Sequence, residues 1–519
     1  MSARGTDMAN ATTVSVVGAA PLSIEEVLGL ARGSLRAEVS QAPEDRARRN
    51  ESRAMLERFE ASGAAIYGVT TGVGASSRVE IPEAMRDALP INLVRFHGCG
   101  TGRILDETEA AAVVALRLAS LARGYSGVRP VLVDRLCALL NARVLPRIPE
   151  EGSVGASGDL TPLSYLAALV MGEREALYQD RVMPAPDALA AAGIEPLKLQ
   201  LKESLALMNG TAVMTAIACV AWERSARLAR LAAAVTAMVV DATRGNREHF
   251  DARIFELKPH PGQVQAAAWI RGDLALAAGG SVPEPAQIQD PYSIRCAPHV
   301  IGVLLDTLEA ARRTLEIEIH GIDDNPLVDP ESGQVLHGGN FYGGHVCQAM
   351  DSVKTCVASV ADLLDRQLVL LCGPETSHGL PANLVASGSV AEHGFKALQI
   401  STSALTAEAQ KLTMPAAAFS RSTESHNQDK VSMGTIAARD CRRIAELSET
   451  VAVIGLLAGC QALDLRDGGS QLPRLLALRD GVRKAVPTLH ADRRQDLDIA
   501  RVLELLRDDA LPLGPASPL

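Results

Sequence analysis

Aromatic residues are scarce in this chain. Phe, Tyr and Trp together make up 3% of its 519 residues, whereas hydrophobic residues make up 47%. The apolar core must therefore be built mainly from Ala, Leu and Val, and a core of that composition favours helices over sheets. The sequence predicts a mainly α protein, and its length allows two or three domains or one elongated subunit.

Paired cysteines are lacking as well. The nine cysteines are an odd number, and no two of them have C-x-x-C spacing. This distribution argues against a disulfide framework and against a zinc site. We expect no metal, and we expect the chain to work in a reducing cytoplasm, where free thiols persist.

Long basic or apolar runs are also missing. The formal net charge is −10 and no basic cluster stands out, so we expect no nucleic-acid partner. The longest uncharged stretch, 204–222, is interrupted by Asn209-Gly210-Thr211, which favours a buried core segment and no membrane partner. The P-loop, the H-E-x-x-H zinc signature and the G-x-S-x-G hydrolase signature are absent from the sequence.

Helical periodicity dominates the second half of the chain. Residues 301–315 and 353–368 carry apolar side chains at three- and four-residue spacing, and a third such run covers 433–463. The Pro- and Ala-rich stretch 175–200 is typical of a connector. The sequence predicts a smaller, mixed, loop-rich N-terminal domain over 1–205. It predicts a long antiparallel central helix bundle over 206–519, with functional loops at the helix ends.

One segment breaks this helical pattern in a distinctive way. Residues 152–163 read GSVGASGDLTPL, with Ala156-Ser157-Gly158 at their centre. Six other segments accompany it in a set order: YGVTTGVG at 67–74, LMNGT at 207–211, QDPYSIRC at 289–296, DNPL at 324–327, GGNF at 338–341 and HNQDKVSMG at 426–434. This ordered set resembles the histidine, phenylalanine and tyrosine ammonia-lyases and the related aminomutases. The resemblance covers most of the chain.

The resemblance implies a prosthetic group made from the chain itself. In that family the Ala-Ser-Gly triplet cyclises to 4-methylideneimidazol-5-one (MIO). The Gly158 amide nitrogen would attack the Ala156 carbonyl, and loss of water would turn Ser157 into the methylidene. Glycine suits the attacking position because it has no Cβ to block the approach. A non-catalytic helical scaffold with an uncyclised loop is the alternative.

The resemblance also assigns roles outside the triplet. Tyr67, at the start of the glycine-rich loop that ends at Gly74, is expected to remove the β-proton of the substrate, and Gly74 to line the substrate site. A free tyrosine has a pKa near about 10, so we expect helix N-termini pointed at the site to help it ionise. Arg295 is expected to bind the substrate carboxylate through its planar fork. Tyr292 is expected to hydrogen-bond near the amine or the prosthetic group.

Amide and carboxylate side chains complete the predicted site. By resemblance, Asn209 orients the prosthetic carbonyl and Asn325 the substrate carboxylate. Glu424 matches the carboxylate that faces the substrate amine in phenylalanine-type enzymes, and Asn427 and Gln428 line the same region. Family members form homotetramers whose active sites draw loops from three subunits, so we expect composite sites here.

Phe96 and His97 stand where the family sets its preference for the ring of the substrate. The pair matches none of the common family patterns fully, since His97 could bind an imidazole or a phenol hydroxyl. Gln428 stands where histidine enzymes carry Glu, and Phe96 adds an apolar wall. These residues favour a small aromatic amino acid, tyrosine first, phenylalanine second and histidine third.

The predicted reaction is therefore that of a lyase most like the bacterial tyrosine ammonia-lyases, releasing trans-4-hydroxycinnamate (p-coumarate). A tyrosine 2,3-aminomutase, which would use the same residues and return the amine to the β-carbon, remains open. That choice depends on how long the product stays enclosed, which is a matter of lid dynamics.

Overall fold

The computed structural model describes residues 13–281, 284–466 and 470–514, and within them the predicted mainly α class is confirmed. The α-helices of these ranges are α1 (Ile24–Arg32), α2 (Pro43–Ala61), α3 (Ala88–Phe96), α4 (Glu107–Ala122), α5 (Pro130–Ala142), α6 (Leu160–Met171), α7 (Ala185–Ala191), α8 (Glu203–Met208), α9 (Ala212–Ala242), α10 (Ala252–Glu256), α11 (Pro261–Asp273), α12 (Tyr292–Arg295), α13 (Ala297–His320), α14 (Gly344–Cys372), α15 (Lys396–Lys411), α16 (Gly434–Leu465), α17 (Pro473–Arg483) and α18 (Asp496–Arg507). Short 3₁₀ turns cover Gly74–Ser76, Glu83–Met85, Arg247–Phe250, Ala382–Leu384 and Ala416–Phe419.

The strands in the described part of the chain are short and form four small sheets. Their bounds are β1 (Thr13–Val17), β2 (Leu35–Val39), β3 (Thr101–Ile104), β4 (Leu145–Pro146), β5 (Pro149–Glu151), β6 (Glu175–Tyr178), β7 (Arg181–Pro184), β8 (Leu327–Asp329) and β9 (Gln334–Leu336). β1 and β2 are parallel, whereas β3 with β5, β4 with β6, β6 with β7, and β8 with β9 are antiparallel. Sheets of this size cannot form the core, which is left to the helices.

The sequence signals at helix ends act as elementary chemistry predicts. The Asp106 side chain accepts the Glu109 N–H and Glu109 reaches back to the Asp106 N–H, a complete capping box at the start of α4. Gly124 follows the helix with φ of +79°, a left-handed conformation that costs glycine little. The periodic apolar residues of 301–315 and 353–368 are buried in α13 and α14.

The chain divides into two compact units that are not consecutive segments. Unit 1 comprises the residues up to Val220 together with Arg313–Gln348 and Pro415–Arg439. Within it, α4 packs against α1 and α5, and α3, α6 and α8 pack on one another. This second cluster matters for function, because the end of α3, the start of α6 and the end of α8 carry residues of the candidate site. Unit 1 extends beyond the boundary predicted at residue 205.

Unit 2 comprises Ala221–Arg312, Ala349–Met414 and the residues from Asp440 onward. Arg230 and Asp273 form a buried two-pronged ion pair in this unit, with both N–O distances at 2.8 Å. Among the described residues, α16 is the one helix that is long and apolar enough to cross a membrane. Of its most apolar 18-residue stretch, 89% is buried inside the protein. The uncharged stretch 204–222 is a buried segment divided between α8 and α9.

Candidate active site

A pocket of about 470 Å³ lies within unit 1. Eleven residues predicted from the sequence line it: Tyr67, Gly74, Phe96, His97, Ala156, Ser157, Asn209, Asn325, Glu424, Asn427 and Gln428. Gly158 lies directly behind them and is buried. Six segments of the sequence are therefore brought to one cavity.

The Ala-Ser-Gly triplet adopts a strained backbone. Ser157 has φ of +52° and Gly158 has φ of +76°, both in the left-handed region. A Cβ on Gly158 would collide with the carbonyl oxygen of Gly210, because the two residues form a parallel bridge. The Asp159 N–H donates to that same carbonyl at 2.8 Å. Position 158 therefore requires glycine on both conformational and steric grounds.

Asn209 connects the triplet with a second loop. Its Nδ2 donates to the Ser157 carbonyl oxygen at 2.8 Å, and its Oδ1 accepts the Asn325 N–H at 2.7 Å. Asn325 is held in turn, because its Oδ1 accepts the Gly338 N–H at 2.7 Å. The amide of Asn209 thus has one orientation, with its donor end on the carbonyl that the triplet presents.

Asp159 secures the segment from the other side. It is fully buried, and its carboxylate accepts the Met214 N–H at 2.8 Å, the Ser153 Oγ at 3.1 Å and the Thr435 Oγ1. Burial raises the pKa of Asp159 to about 6, while these hydrogen bonds oppose the rise. Asp159 therefore joins the triplet to the first turn of α9.

Tyr67 faces the pocket with a restrained hydroxyl. Its Oη accepts the Gly74 N–H at 2.8 Å. Burial raises the pKa of Tyr67, the Gly74 hydrogen bond opposes that rise, and the Glu424 carboxylate adds to it. Within this chain Tyr67 is therefore harder to ionise than a free tyrosine.

The loop around Glu424 has an unusual backbone. Glu424, Ser425 and His426 all have φ between +50° and +63°. The Glu424 carboxylate accepts the Ala75 N–H through both oxygens, at 3.0 and 3.1 Å. A Cβ on Gly74 would lie 2.5 Å from that carboxylate, so only glycine allows the approach. The base candidate and the carboxylate are therefore anchored by consecutive amides of one loop.

The rings of Phe96 and His97 lie side by side, with their centroids 4.0 Å apart. His97 Nδ1 lies 3.0 Å from the Leu93 carbonyl oxygen, which can only accept, so Nδ1 carries the proton. Burial lowers the pKa of His97. The imidazole is neutral near pH 7 for this reason, and its Nε2 is left with a lone pair.

Sequence reasoning missed the apolar wall of the pocket. Leu93, Leu160, Leu205, Phe341 and Tyr342 also line it. Helical spacing carried a signal for two of them, since Leu93 and Leu205 each precede a predicted site residue by four positions in α3 and α8. Leu160 and Phe341 stood inside the motifs already quoted.

Tyr292 and Arg295 belong to unit 2, where both lie in α12. The Tyr292 side chain is 70% exposed, and the Arg295 guanidinium lies 4.5 Å from the centre of its ring. Arg295 Nε donates to the Asp290 carbonyl oxygen at 3.0 Å. Neither residue lines the pocket in unit 1.

Comparisons with known proteins agree on one family. A family model described as "Aromatic amino acid lyase" matches residues 22–484. The histidine ammonia-lyase of Aromatoleum aromaticum is 42% identical over 443 residues, which cover 85% of this chain and 84% of that protein. Among solved structures, a tyrosine aminomutase from Streptomyces globisporus superposes with a TM-score of 0.90 at 35% identity, covering 96% of this chain and 97% of that one. A histidine ammonia-lyase from Trypanosoma cruzi superposes with a TM-score of 0.88 at 32% identity, covering 98% and 96%.

These comparisons overturn one prediction. The preference for tyrosine, with 4-hydroxycinnamate as product, is wrong, because further curated relatives at 38–39% identity are also histidine ammonia-lyases. The preference for tyrosine takes the neutral amide of Gln428 as evidence against an imidazole. In the folded protein Gln428 Nε2 donates to Ser157 Oγ at 3.0 Å, so this side chain contacts the triplet. The lack of charge on Gln428 is therefore weak evidence about which aromatic ring the substrate carries.

Proposed function

Because this chain belongs to the aromatic amino acid lyase family and is a carbon–nitrogen lyase, we propose that it is a histidine ammonia-lyase. The reaction converts L-histidine to ammonia and trans-3-(imidazol-4-yl)acrylate. The Cα–N bond and one Cβ–H bond break, and a double bond forms between the two carbons. The histidine ammonia-lyases among the relatives support this choice of substrate.

The single observation of this structure that carries the choice against a plain phenyl ring is the state of His97. Its Nδ1 proton is held by the Leu93 carbonyl, so Nε2 is a hydrogen-bond acceptor in the pocket lining. An imidazole N–H, like a phenol O–H, is a donor and satisfies that acceptor, whereas a phenyl ring leaves it unpaired at a cost in affinity. The histidine ammonia-lyases among the relatives favour the imidazole over the phenol. The adjacent Phe96 ring provides an apolar surface beside it.

The triplet fits the prosthetic group that the family implies. Ser157 and Gly158 are held in left-handed conformations, Gly158 has no room for a Cβ, and Asn209 donates to the Ser157 carbonyl. We therefore assign Ala156-Ser157-Gly158 as the precursor of 4-methylideneimidazol-5-one. When formed, this group supplies an electrophilic carbon that takes up the substrate amine and makes it a better leaving group. Asn209 would hold the carbonyl oxygen conjugated with that carbon.

Tyr67 is the proposed base for the β-proton, since its Oη reaches the pocket and the Gly74 N–H stabilises the phenolate. Its raised pKa means that a cation must lower it when substrate is bound. Glu424 is the proposed partner of the substrate ammonium, because it presents a carboxylate to the same cavity. Asn325 and Asn427, which line the pocket as well, would donate to the substrate carboxylate.

Arg295 and Tyr292 would enter this site from a neighbouring copy of the chain in a homotetramer. Tyr292 is largely exposed, and hydrogen bonding within the described ranges engages only Nε of Arg295, so the planar fork of Arg295 remains for a carboxylate. That guanidinium would also supply the positive charge that Tyr67 needs. The oligomer and these two roles are proposals that follow from the family.

A substrate screen tests the proposal. The purified protein is incubated with L-histidine, L-phenylalanine and L-tyrosine, and ultraviolet absorbance follows the conjugated acrylate while ammonia is measured separately. We expect turnover of histidine with the highest kcat/KM, no β-amino acid among the products, and an intact mass two waters below that of the sequence. Turnover of phenylalanine alone, or a β-amino acid product, would refute the assignment, and Tyr67→Phe serves as the inactive control.

A further inference from the structure

Two consecutive carboxylates lie behind the triplet, and each is paired with a buried cation. Asp323 pairs with Arg117, and Asp324 pairs with Lys202. The side chains of Arg117 and Lys202 are both 0% exposed. Buried charges of this kind are costly unless several hydrogen bonds compensate for lost hydration, so what each pair contacts is informative.

The Arg117–Asp323 pair holds both ends of one turn. Arg117 Nη1 donates to the Asn209 carbonyl at 3.0 Å, and Asp323 Oδ2 accepts the Thr211 N–H at 2.7 Å. Gly210 lies between them, and a Cβ there would collide with Arg117 Nη1. The Gly210 carbonyl is the group that accepts the Asp159 N–H, so this ion pair sets the backbone against which the triplet rests.

The Lys202–Asp324 pair acts on the neighbouring loop. Asp324 Oδ1 also accepts the Ser126 Oγ at 2.9 Å. The next residue, Asn325, donates its backbone N–H to Asn209 Oδ1. That N–H fixes the orientation of the Asn209 side-chain amide. If the amide were flipped, its NH₂ group would face the Asn325 N–H, and its oxygen would face the Ser157 carbonyl oxygen.

We infer that Arg117, Asp323, Lys202 and Asp324 are positioning residues that hold the Asn209 amide as a donor to the Ser157 carbonyl. Burying two ion pairs adds little net stability compared with apolar residues of similar size. The pairs instead orient Asn209. Because charged hydrogen bonds act on both sides of this residue, its backbone and its side-chain amide are held in one arrangement. The inference rests on the proposed function, because its consequence is a triplet that cyclises and a carbonyl that stays polarised.

The test removes each pair as a unit. The variants are Lys202→Met with Asp324→Asn, and Arg117→Met with Asp323→Asn, so that no lone buried charge is left. The matched control is Arg230→Met with Asp273→Asn, which removes the buried pair in unit 2. Intact mass gives the fraction of chains that have lost two waters, and steady-state kinetics on histidine gives kcat and KM separately.

We expect each pair variant to lower the fraction of chains that have lost two waters, or else to lower kcat per modified chain. The expected decrease is about 10- to 100-fold, the usual effect of losing a hydrogen bond to a charged group. KM should change by less than about threefold, because these residues do not line the pocket. The control pair should leave both readouts within about twofold. In an Asn209→Ala background, removal of the Lys202–Asp324 pair should have little further effect, because this pair acts through the Asn209 amide.

Two results would overturn the inference: pair variants that match the control, or a Lys202–Asp324 loss that multiplies with the Asn209→Ala loss. If a pair variant does not fold, Ser126→Ala removes one hydrogen bond to Asp324 without any change of charge. It should lower kcat by a few-fold with KM unchanged, and an unaltered kcat would count against the inference. A wild-type chain without the loss of two waters would instead refute the proposed prosthetic group.

Discussion

Glu318 sits near the end of α13 with its carboxylate against the turn that carries Asn209. Its Oε1 accepts the Thr211 Oγ1 hydrogen bond at 2.5 Å. Burial raises the pKa of Glu318 to about 7 from an ordinary value of 4.5, and the nearby Asp323 and Asp159 carboxylates add to the rise. Replacing this residue by glutamine keeps the shape and the acceptor for Thr211 but removes the charge.

The raised pKa of Glu318 sets the sign and size of the change in folding stability that Glu318→Gln should cause. Above pH 7 Glu318 is charged in the folded and the unfolded chain, and the folded state bears the cost of burying the charge. Between pH 7 and 4.5 only the folded chain takes up the proton, so wild-type stability rises as the pH falls. The difference between 4.5 and about 7, at about 1.36 kcal/mol per pH unit, corresponds to about 3 kcal/mol. Glu318 retains some exposure, so we expect about 2 to 3 kcal/mol after solvent screening.

Thermal melting at pH 5 and pH 8.5, at one protein concentration, measures this effect. An unfolding entropy of about 2.1 cal/mol/K per residue over 519 residues makes 1 kcal/mol worth about 1 °C. Glu318→Gln should therefore melt about 2 to 3 °C above wild type at pH 8.5 and close to wild type at pH 5. The exposed Glu195 serves as the control, and Glu195→Gln should show no such pH-dependent difference. An equal shift at both pH values, or a lower melting point at pH 8.5, would refute the reasoning.

Three further outcomes follow from the site. Gly158→Ala should abolish the loss of two waters in the intact mass, because its Cβ would meet the Gly210 carbonyl, and a modified alanine variant would contradict that geometry. Tyr67→Phe should keep the mass deficit but lower kcat by about a hundred- to ten-thousand-fold with little change in KM, and retained turnover would exclude Tyr67 as the base. His97→Phe should lower kcat/KM for histidine by about 10- to 100-fold and leave that for phenylalanine equal or higher, as kinetics with both substrates would show. Equal losses of kcat/KM for the two substrates would mean that His97 does not discriminate between their rings.

Much of the site could be predicted from the sequence because its chemistry belongs to short segments. The triplet and the glycine-rich loop are contiguous, and their conformational needs follow from local sterics at Gly158 and Gly74. The apolar wall was missed because Leu93 and Leu205 look like ordinary core residues. The ring preference was misjudged because the partner of Gln428, Ser157, lies 271 positions away in the chain.

The sequence by itself determined the helical class, the capped ends of α4 and the order of the motifs. Those features depend on composition, on three- and four-residue spacing and on glycine conformations, all of which act within a few residues. Only the tertiary structure decided which way the Asn209 amide points and which cations neutralise Asp323 and Asp324. Each of these depends on contacts with partners that are distant in sequence. Hydrogen bonds and ion pairs of this kind gain their strength from burial, which no single segment of the chain can supply.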